Sequence, residues 1–280
     1  MAGIALTVFW RTGGEKVISF INVDVKFNLG TPLETHALRD VSLDVKEGQF
    51  LTVIGSNGAG KSTVLNALAG GAPIFGGSLS VDGKDVTHLP VHRRAKIVSR
   101  VFQDPRVGTC ADLTLLENFA IARARTQPRR FRPAVSPDMK DELKDRLSLL
   151  GLGLENRIND LVGQLSGGQR QALSLIMAST GHSKVLLLDE HTAALDPETA
   201  SYVMSLTSQL VAQTAITTLM VTHSMQQALD YGDRIVMFHR GKIVLDVDGT
   251  ERAALTVNDL LSLFKKASGE ELCDDVLLLG

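Results

Sequence analysis

Cysteine is almost missing from this chain. Its 280 residues include two, Cys110 and Cys273, far apart and in no metal-ligand spacing. That excludes a disulfide framework and a cysteine-rich metal site, and it points to a reducing compartment. An excess of one charge is also lacking. Lys and Arg total 29 against 31 Asp and Glu, for a formal net charge of -2. The overall balance therefore favours neither nucleic acid nor an anionic membrane. No apolar run approaches the ~18 residues that a membrane-spanning helix needs. The stretch MAGIALTVFWR is apolar but has no basic leading region and no clear cleavage site, so a signal peptide is not expected. If the chain works at a membrane, another chain must cross it. What the sequence does hold is 44% hydrophobic residues, ample for a packed core.

Those residues are patterned. VISFINVDV and HALRDVSLDV alternate as β-strands do. GQFLTVIG is a continuous apolar run ending in glycine, as expected of a strand buried on both faces. The sequence GSNGAGKSTVLNALAG then turns helical, with Val64, Leu65 and Leu68 on one face. GGSLSVDGKDV reads as a hairpin turning at Asp82-Gly83, and KIVSRVFQD as a further strand. Residues 104 to 165 change character: LTLLENFAIARA and DELKDRLSLLGLG read as helices around an arginine-rich link. From residue 185 strands and helices alternate again, through VLLLDE, TTLMVTH and DRIVMFHRGKIVLDV. The layout is an α/β core interrupted by a mostly helical insert. Residues 1–16 read as an extension. It is either a tail or the product of a misplaced start, with Val17 as the true first codon.

Two stretches carry chemistry. GSNGAGKS, residues 55–62, has the form G-x-x-x-x-G-K-[ST] between a strand and a helix. Gly55, Gly58 and Gly60 let the backbone curl, so that N–H groups from Ser56, Asn57 and Ala59 through to Thr63 face phosphates. Lys61 adds a point charge for the β and γ phosphates, and the Ser62 hydroxyl is a Mg²⁺ ligand. VLLLDEHTAALD, residues 185–196, ends a buried strand in two acids, which is unfavourable unless something there needs negative charge. Beside a phosphate cradle, Asp189 is expected to hold Mg²⁺ and Glu190 to take a proton from, or orient, an attacking water.

LSGGQRQAL, residues 165–173, makes the resemblance specific. From about Val17 to about Val247 the sequence resembles the ATP-binding subunits of ABC transporters. It carries the P-loop, Gln103 after a strand, the 165–169 signature, the acidic strand end, AALD at 193–196 and VTH with His223, in that order. The resemblance implies an α/β P-loop cassette with a RecA-like core, an antiparallel β subdomain and a helical subdomain at about 104–178. It places the ATP-binding domain at 17–250 and a C-terminal helix and tail at 251–280. Ser166, Gly167, Gly168 and Gln169 open a helix whose N-terminus suits a phosphate. The resemblance implies that this phosphate belongs to ATP on a second copy, in a head-to-tail homodimer with Asp196 at the interface.

By position, Phe27 would stack on adenine, Gln103 would sense Mg²⁺ and water, and His223 would contact the γ phosphate. The implied partners are integral-membrane permease subunits and a separate solute-binding protein, with no nucleic acid. The implied place is the cytoplasmic face of a bacterial cell membrane. DEHTAALDP, RVFQDPRVGT and MQQALDYGDRIVMFHRGKIVLDV resemble the group found with tryptophan/tyrosine-type uptake systems. A split exporter or a non-transport ATPase of the family is the alternative. His191 stands where the commonest pattern has proline. Successive strand residues point to opposite faces, so Asp189, Glu190 and His191 are not expected to converge on one ion. His191 is expected in a loop, bonded to backbone.

Two segments remain. ARARTQPRRFRP carries Arg123, Arg125, Arg129, Arg130 and Arg132. It reads as a solvated loop or a contact with anionic lipid headgroups. Phe131 alone makes a poor platform for stacking bases. Near the end, Leu260, Leu261 and Phe264 form one helix face expected to pack on the core, followed by a frayed terminus with Cys273.

Overall fold

A computed structural model describes residues 15–126, 134–181 and 183–268. The alternating stretches become β1 (Lys16–Phe27) and β2 (Thr35–Lys46), paired antiparallel, with Ile18, Phe20, Val23, Val25 and Leu38 buried. The strand begins inside the segment read as an extension. Lys16 pairs with Asp44 at 2.5 Å, and the Glu15 carbonyl accepts from Glu47 N–H. The rest of that extension lies outside the described residues.

β3 (Phe50–Gly55) buries all six of its residues and leads through the glycine-rich loop into α1 (Lys61–Ala69). β4 (Ile74–Val81) and β5 (Lys84–Asp85) form the expected hairpin, turning through Asp82 and Gly83, both at positive φ. β4 pairs with β1, so one sheet runs β2-β1-β4-β5.

α2 (Val91–Arg94) precedes β6 (Val98–Val101), and the chain then turns helical: α3 (Leu115–Ala124), α4 (Pro137–Ser148) and α5 (Gly167–Ala178). Thr114 and Glu117 form a capping box that starts α3. α4 starts four residues before the expected segment, because Pro137 at its first position supplies a helical φ and lacks an N–H that would go unpaired there. Leu115, Phe119, Leu143, Leu147 and Leu173 share one buried cluster between these helices.

The first two arginines of the run are structural rather than part of a solvated loop. Arg123 pairs with Glu142 at 3.0 Å. The Arg125 guanidinium donates to Ser99 Oγ at 2.9 Å and Ser183 Oγ at 3.1 Å. Arg129, Arg130 and Arg132 lie outside the described residues.

The second half supplies β7 (Val185–Asp189), α6 (Pro197–Thr214), β8 (Thr217–Val221), α7 (Met225–Tyr231), β9 (Arg234–His239), β10 (Lys242–Asp248), α8 (Gly249–Ala253) and α9 (Val257–Ser268). The second sheet runs β10-β9-β3-β8-β7-β6, parallel except for the β9–β10 pair. Strands β3, β7 and β8 are covered on both faces, which is why they read as unbroken apolar runs. Leu260 and Phe264 of α9 are buried against this sheet's β9 side, Leu261 partly so. The Cys273 end lies outside the described residues. Among the described residues no helix is long and apolar enough to cross a membrane. In such a sheet ligands bind beyond the carboxyl ends of the parallel strands, and the candidate residues gather there.

Candidate nucleotide site

The loop after β3 is held open by glycine. Gly55 has φ 141°, and a Cβ there would lie 2.1 Å from the Phe238 carbonyl oxygen. Gly60, at φ 107°, would meet the Ala37 carbonyl oxygen at 2.8 Å. Gly58 faces open space. Lys61 is buried, and its ammonium donates to the carbonyls of Gly55 at 2.6 Å and Ser56 at 3.0 Å, folding the loop around itself. Ala59 is buried in the wall, its N–H used by the Ser56 carbonyl, while Asn57 is exposed. Ser62 is exposed on the first turn of α1, with Thr63 half-buried beside it. No side chain caps α1, and its first turn holds no acid. Its leading N–H groups and dipole are therefore left open to an anion.

The acids at the end of β7 go separate ways, because the strand stops at Asp189 and the chain turns at Glu190. Asp189 Oδ2 accepts from a guanidinium nitrogen of Arg100 on β6. Glu190, at φ 46°, turns the chain and places Oε1 2.6 Å from Nε2 of His223, just beyond β8. His191 is buried, with Nε2 3.0 Å from Thr207 Oγ1 on α6. The Thr207 hydroxyl gives its own proton to the Val203 carbonyl, so the imidazole N–H is the donor. The expected backbone partner of His191 is thus a side-chain hydroxyl instead. Burial pushes its pKa down to about 4, which keeps it neutral at ordinary pH. Among the described residues no group of three or more His, Cys, Asp and Glu is placed to hold a metal ion. The metal donors available here are oxygens, the Asp189 carboxylate and the Ser62 hydroxyl, which is the donor chemistry a hard cation such as Mg²⁺ takes.

Gln103 is exposed beyond the end of β6. Its neighbour Phe102 offers its carbonyl to Gln171 Nε2 at 3.1 Å, which ties this segment to α5. Phe27 ends β1 and is half-buried against the core.

The 165–169 signature and Asp196 form a second group. Ser166 caps α5: its Oγ accepts from Gln169 N–H and its N–H donates to Gln169 Oε1, both at 3.2 Å. The Gln169 side chain, expected among the phosphate-facing groups, is used to close this box. Ser166 and Gly167 are exposed, whereas Gly168 is buried. A Cβ on Gly168 would sit 2.2 Å from Thr199 Cγ2. The start of α5 is therefore packed against the start of α6. Asp196 caps that helix, accepting from Thr199 N–H at 3.0 Å, and this bond holds its carboxyl below the usual range.

Sequence reasoning missed Arg100, Asn66 and Thr207. The available signal was Arg100, a charged residue inside the buried strand VSRV, which demands a partner.

A glycine-lined phosphate cradle, acids at the next strand but one and a histidine at the strand between define a P-loop nucleotide-binding cassette. The ABC transporter family profile matches residues 38–193. The chain is 45% identical over 228 residues to the tyrosine transport ATP-binding protein of Clostridioides difficile strain R20291, covering 81% of this chain and 90% of that protein. The chain belongs to the ABC transporter family, as an ATP-binding, ATP-hydrolysing subunit. It is 36% identical over 208 residues to a sulfate/thiosulfate import ATP-binding protein of Agrobacterium fabrum strain C58, which covers 74% of this chain and 58% of that protein. It thus spans little more than half of that relative's length. An ATP-binding cassette solved as a dimer in a post-hydrolysis state with ADP and phosphate superposes with a TM-score of 0.70. That structure is 28% identical and covers 82% of this chain and 98% of its own.

Proposed function

We propose that this chain is the energy-coupling subunit of an ABC importer for amino acids or another small solute. It works as a head-to-tail homodimer docked on separate permease subunits at the cytoplasmic face of the membrane, fed by a solute-binding protein. The likeness to the tyrosine transport subunit supports an aromatic amino acid as cargo. The observation that carries the ATP-driven part is the 2.6 Å contact of Glu190 with His223 at the strand ends beside the cradle.

In this reading each side chain has a task. The α1 N-terminus and the loop N–H groups bind phosphate oxygens, and Lys61 leaves the loop carbonyls for the β and γ phosphates. The Phe27 ring packs on adenine. Glu190 takes the proton of the attacking water, and His223 orients that carboxylate and contacts the γ phosphate. Ser62, Gln103 and Asp189 would hold Mg²⁺, whose positive charge would stabilise the charge developing on the phosphates. Ser166, Gly167 and Gly168 present the α5 N-terminus to ATP bound on the partner copy, with Asp196 beside them at the interface. Differential affinity of the open and closed dimers for ATP then supplies the work.

Affinity purification of the tagged chain from mildly solubilised membranes of its host tests this. Recovery of a multi-span permease is the expected result. Ribosomal or DNA-repair partners without any membrane protein would leave an ATPase of the family and remove the transport role.

A further inference from the structure

The metal side of the site already holds a cation. Arg100 sits at the third position of β6, across from Leu187, with its side chain 17% exposed, and Asp189, two residues further along β7, is 16% exposed. One guanidinium nitrogen donates to Asp189 Oδ2, and another donates to Asn66 Oδ1 on α1 at 2.7 Å. The guanidinium carbon lies 4.8 Å from the centre of the Phe102 ring, one residue before Gln103. A single side chain thus bridges the cradle helix, the acidic strand and the strand leading to Gln103. Its Nε is buried without a hydrogen-bond partner.

We propose that Arg100 clamps Asp189 in the nucleotide-free cassette and competes for it with the divalent metal ion, so that metal entry releases the clamp. The inference rests on the reading of Asp189 as the metal-holding carboxylate.

The physical argument is one of charge. A guanidinium does not deprotonate in a protein. A half-buried carboxylate paired with it is already neutralised, and a dication brought to that carboxylate is repelled by the remaining positive charge. Relief comes by moving the guanidinium. The site provides somewhere for it to stay: Asn66 Oδ1 and the Phe102 ring both hold it independently of Asp189. Release of the clamp also frees the Phe102–Gln103 segment from one of its ties to β7, so metal binding is transmitted to the loop beside the helical insert.

Mn²⁺ in the presence of ADP is the probe, with free Mn²⁺ read by electron paramagnetic resonance so that no turnover is needed. Arg100→Met is expected to tighten Mn²⁺ binding by roughly three- to tenfold, the effect of removing one screened unit charge a few ångströms away. Arg100→Lys, which keeps the charge, should stay within about twofold of the parent. In an Asp189→Asn background Arg100→Met should change nothing. Without ligand the Arg100→Met variant should melt lower than the parent, since Asp189 loses its partner, and Mn²⁺ with ADP should raise its melting temperature by more. If Arg100→Met does not fold, Arg100→Gln carries the same expectation. Mn²⁺ affinity unchanged or weakened in the neutral variants overturns the clamp. Parental Mn²⁺ affinity in Asp189→Asn alone overturns the metal assignment instead.

Discussion

His223 Nε2 and Glu190 Oε1 meet at 2.6 Å, joining the ends of neighbouring parallel strands β8 and β7. The contact needs both the left-handed turn at Glu190 and the chain's exit from β8. Glu190→Gln keeps the shape and a hydrogen-bonding side chain but cannot accept a proton. Steady-state phosphate release should fall by 10²-fold or more, the usual order for a positioned base. ATP should still bind, and a dimer stable in ATP should appear on size exclusion. His223→Ala should cost a similar factor. The double variant should be little worse than either alone, because the two act as one unit. Parental turnover in Glu190→Gln would show that another group takes the proton.

The cradle makes a sharper contrast. Gly55→Ala places a methyl group 2.1 Å from the Phe238 carbonyl oxygen, at a φ of 141°. Neither strand can move without breaking the β3–β9 ladder. The variant should lose several degrees of melting temperature and bind ATP poorly. Gly58→Ala meets open space and bears only the cost of a positive φ, about 1 kcal/mol. It should fold with a near-parental melting temperature. Equal melting temperatures for the two variants would contradict the packing of this loop on β9.

Much of this was readable in advance, for physical reasons. The P-loop is contiguous, and its glycines are demanded by backbone geometry. The buried parallel strands announce themselves as apolar runs because both faces are covered. That the side chains at the end of β7 diverge was readable, but the partner each one finds was not. Asp189, Glu190 and His191 are adjacent in sequence, yet their partners, Arg100, His223 and Thr207, come from three other elements. Arg123 and Arg125 sit in a run that looks solvated, because nothing local reveals Glu142, Ser99 or Ser183. Gln169 lies in the signature, yet its side chain closes the capping box with Ser166, a contact set by local helix chemistry.

The packing of the signature helix gives a rescue experiment. Gly168→Ala drives its new methyl into Thr199 Cγ2, at 2.2 Å. It should destabilise the chain by about 1–3 kcal/mol, typical of overpacking. Thr199→Ser removes that methyl carbon and keeps the backbone N–H that Asp196 uses as a cap. Adding it should restore most of the melting temperature. Failure of the rescue would mean that the strain at Gly168 lies elsewhere than in its contact with α6.

His191 sets the chain's response to mild acid. Burial lowers its pKa to about 4, from an ordinary value near 6.5. Between those values the unfolded chain binds a proton that the folded chain refuses, so stability rises with pH across the window. The contribution is complete above about pH 6.5 and is lost as pH falls towards 4, up to roughly 3 kcal/mol for a shift of this size. Carboxyls held below their usual range, such as Asp44 and Asp196, give up most of their share at lower pH, through and below the ordinary carboxylate range. The slope between pH 6.5 and 4 can therefore be separated from theirs. Urea unfolding across this range should show the slope in the parent and a much flatter profile in His191→Gln, which still donates a hydrogen bond but does not titrate. Thr207→Val should act differently. It removes the acceptor for the buried imidazole N–H and should cost about 1–3 kcal/mol at neutral pH. A parental slope in His191→Gln would place the acid-sensitive group outside this loop.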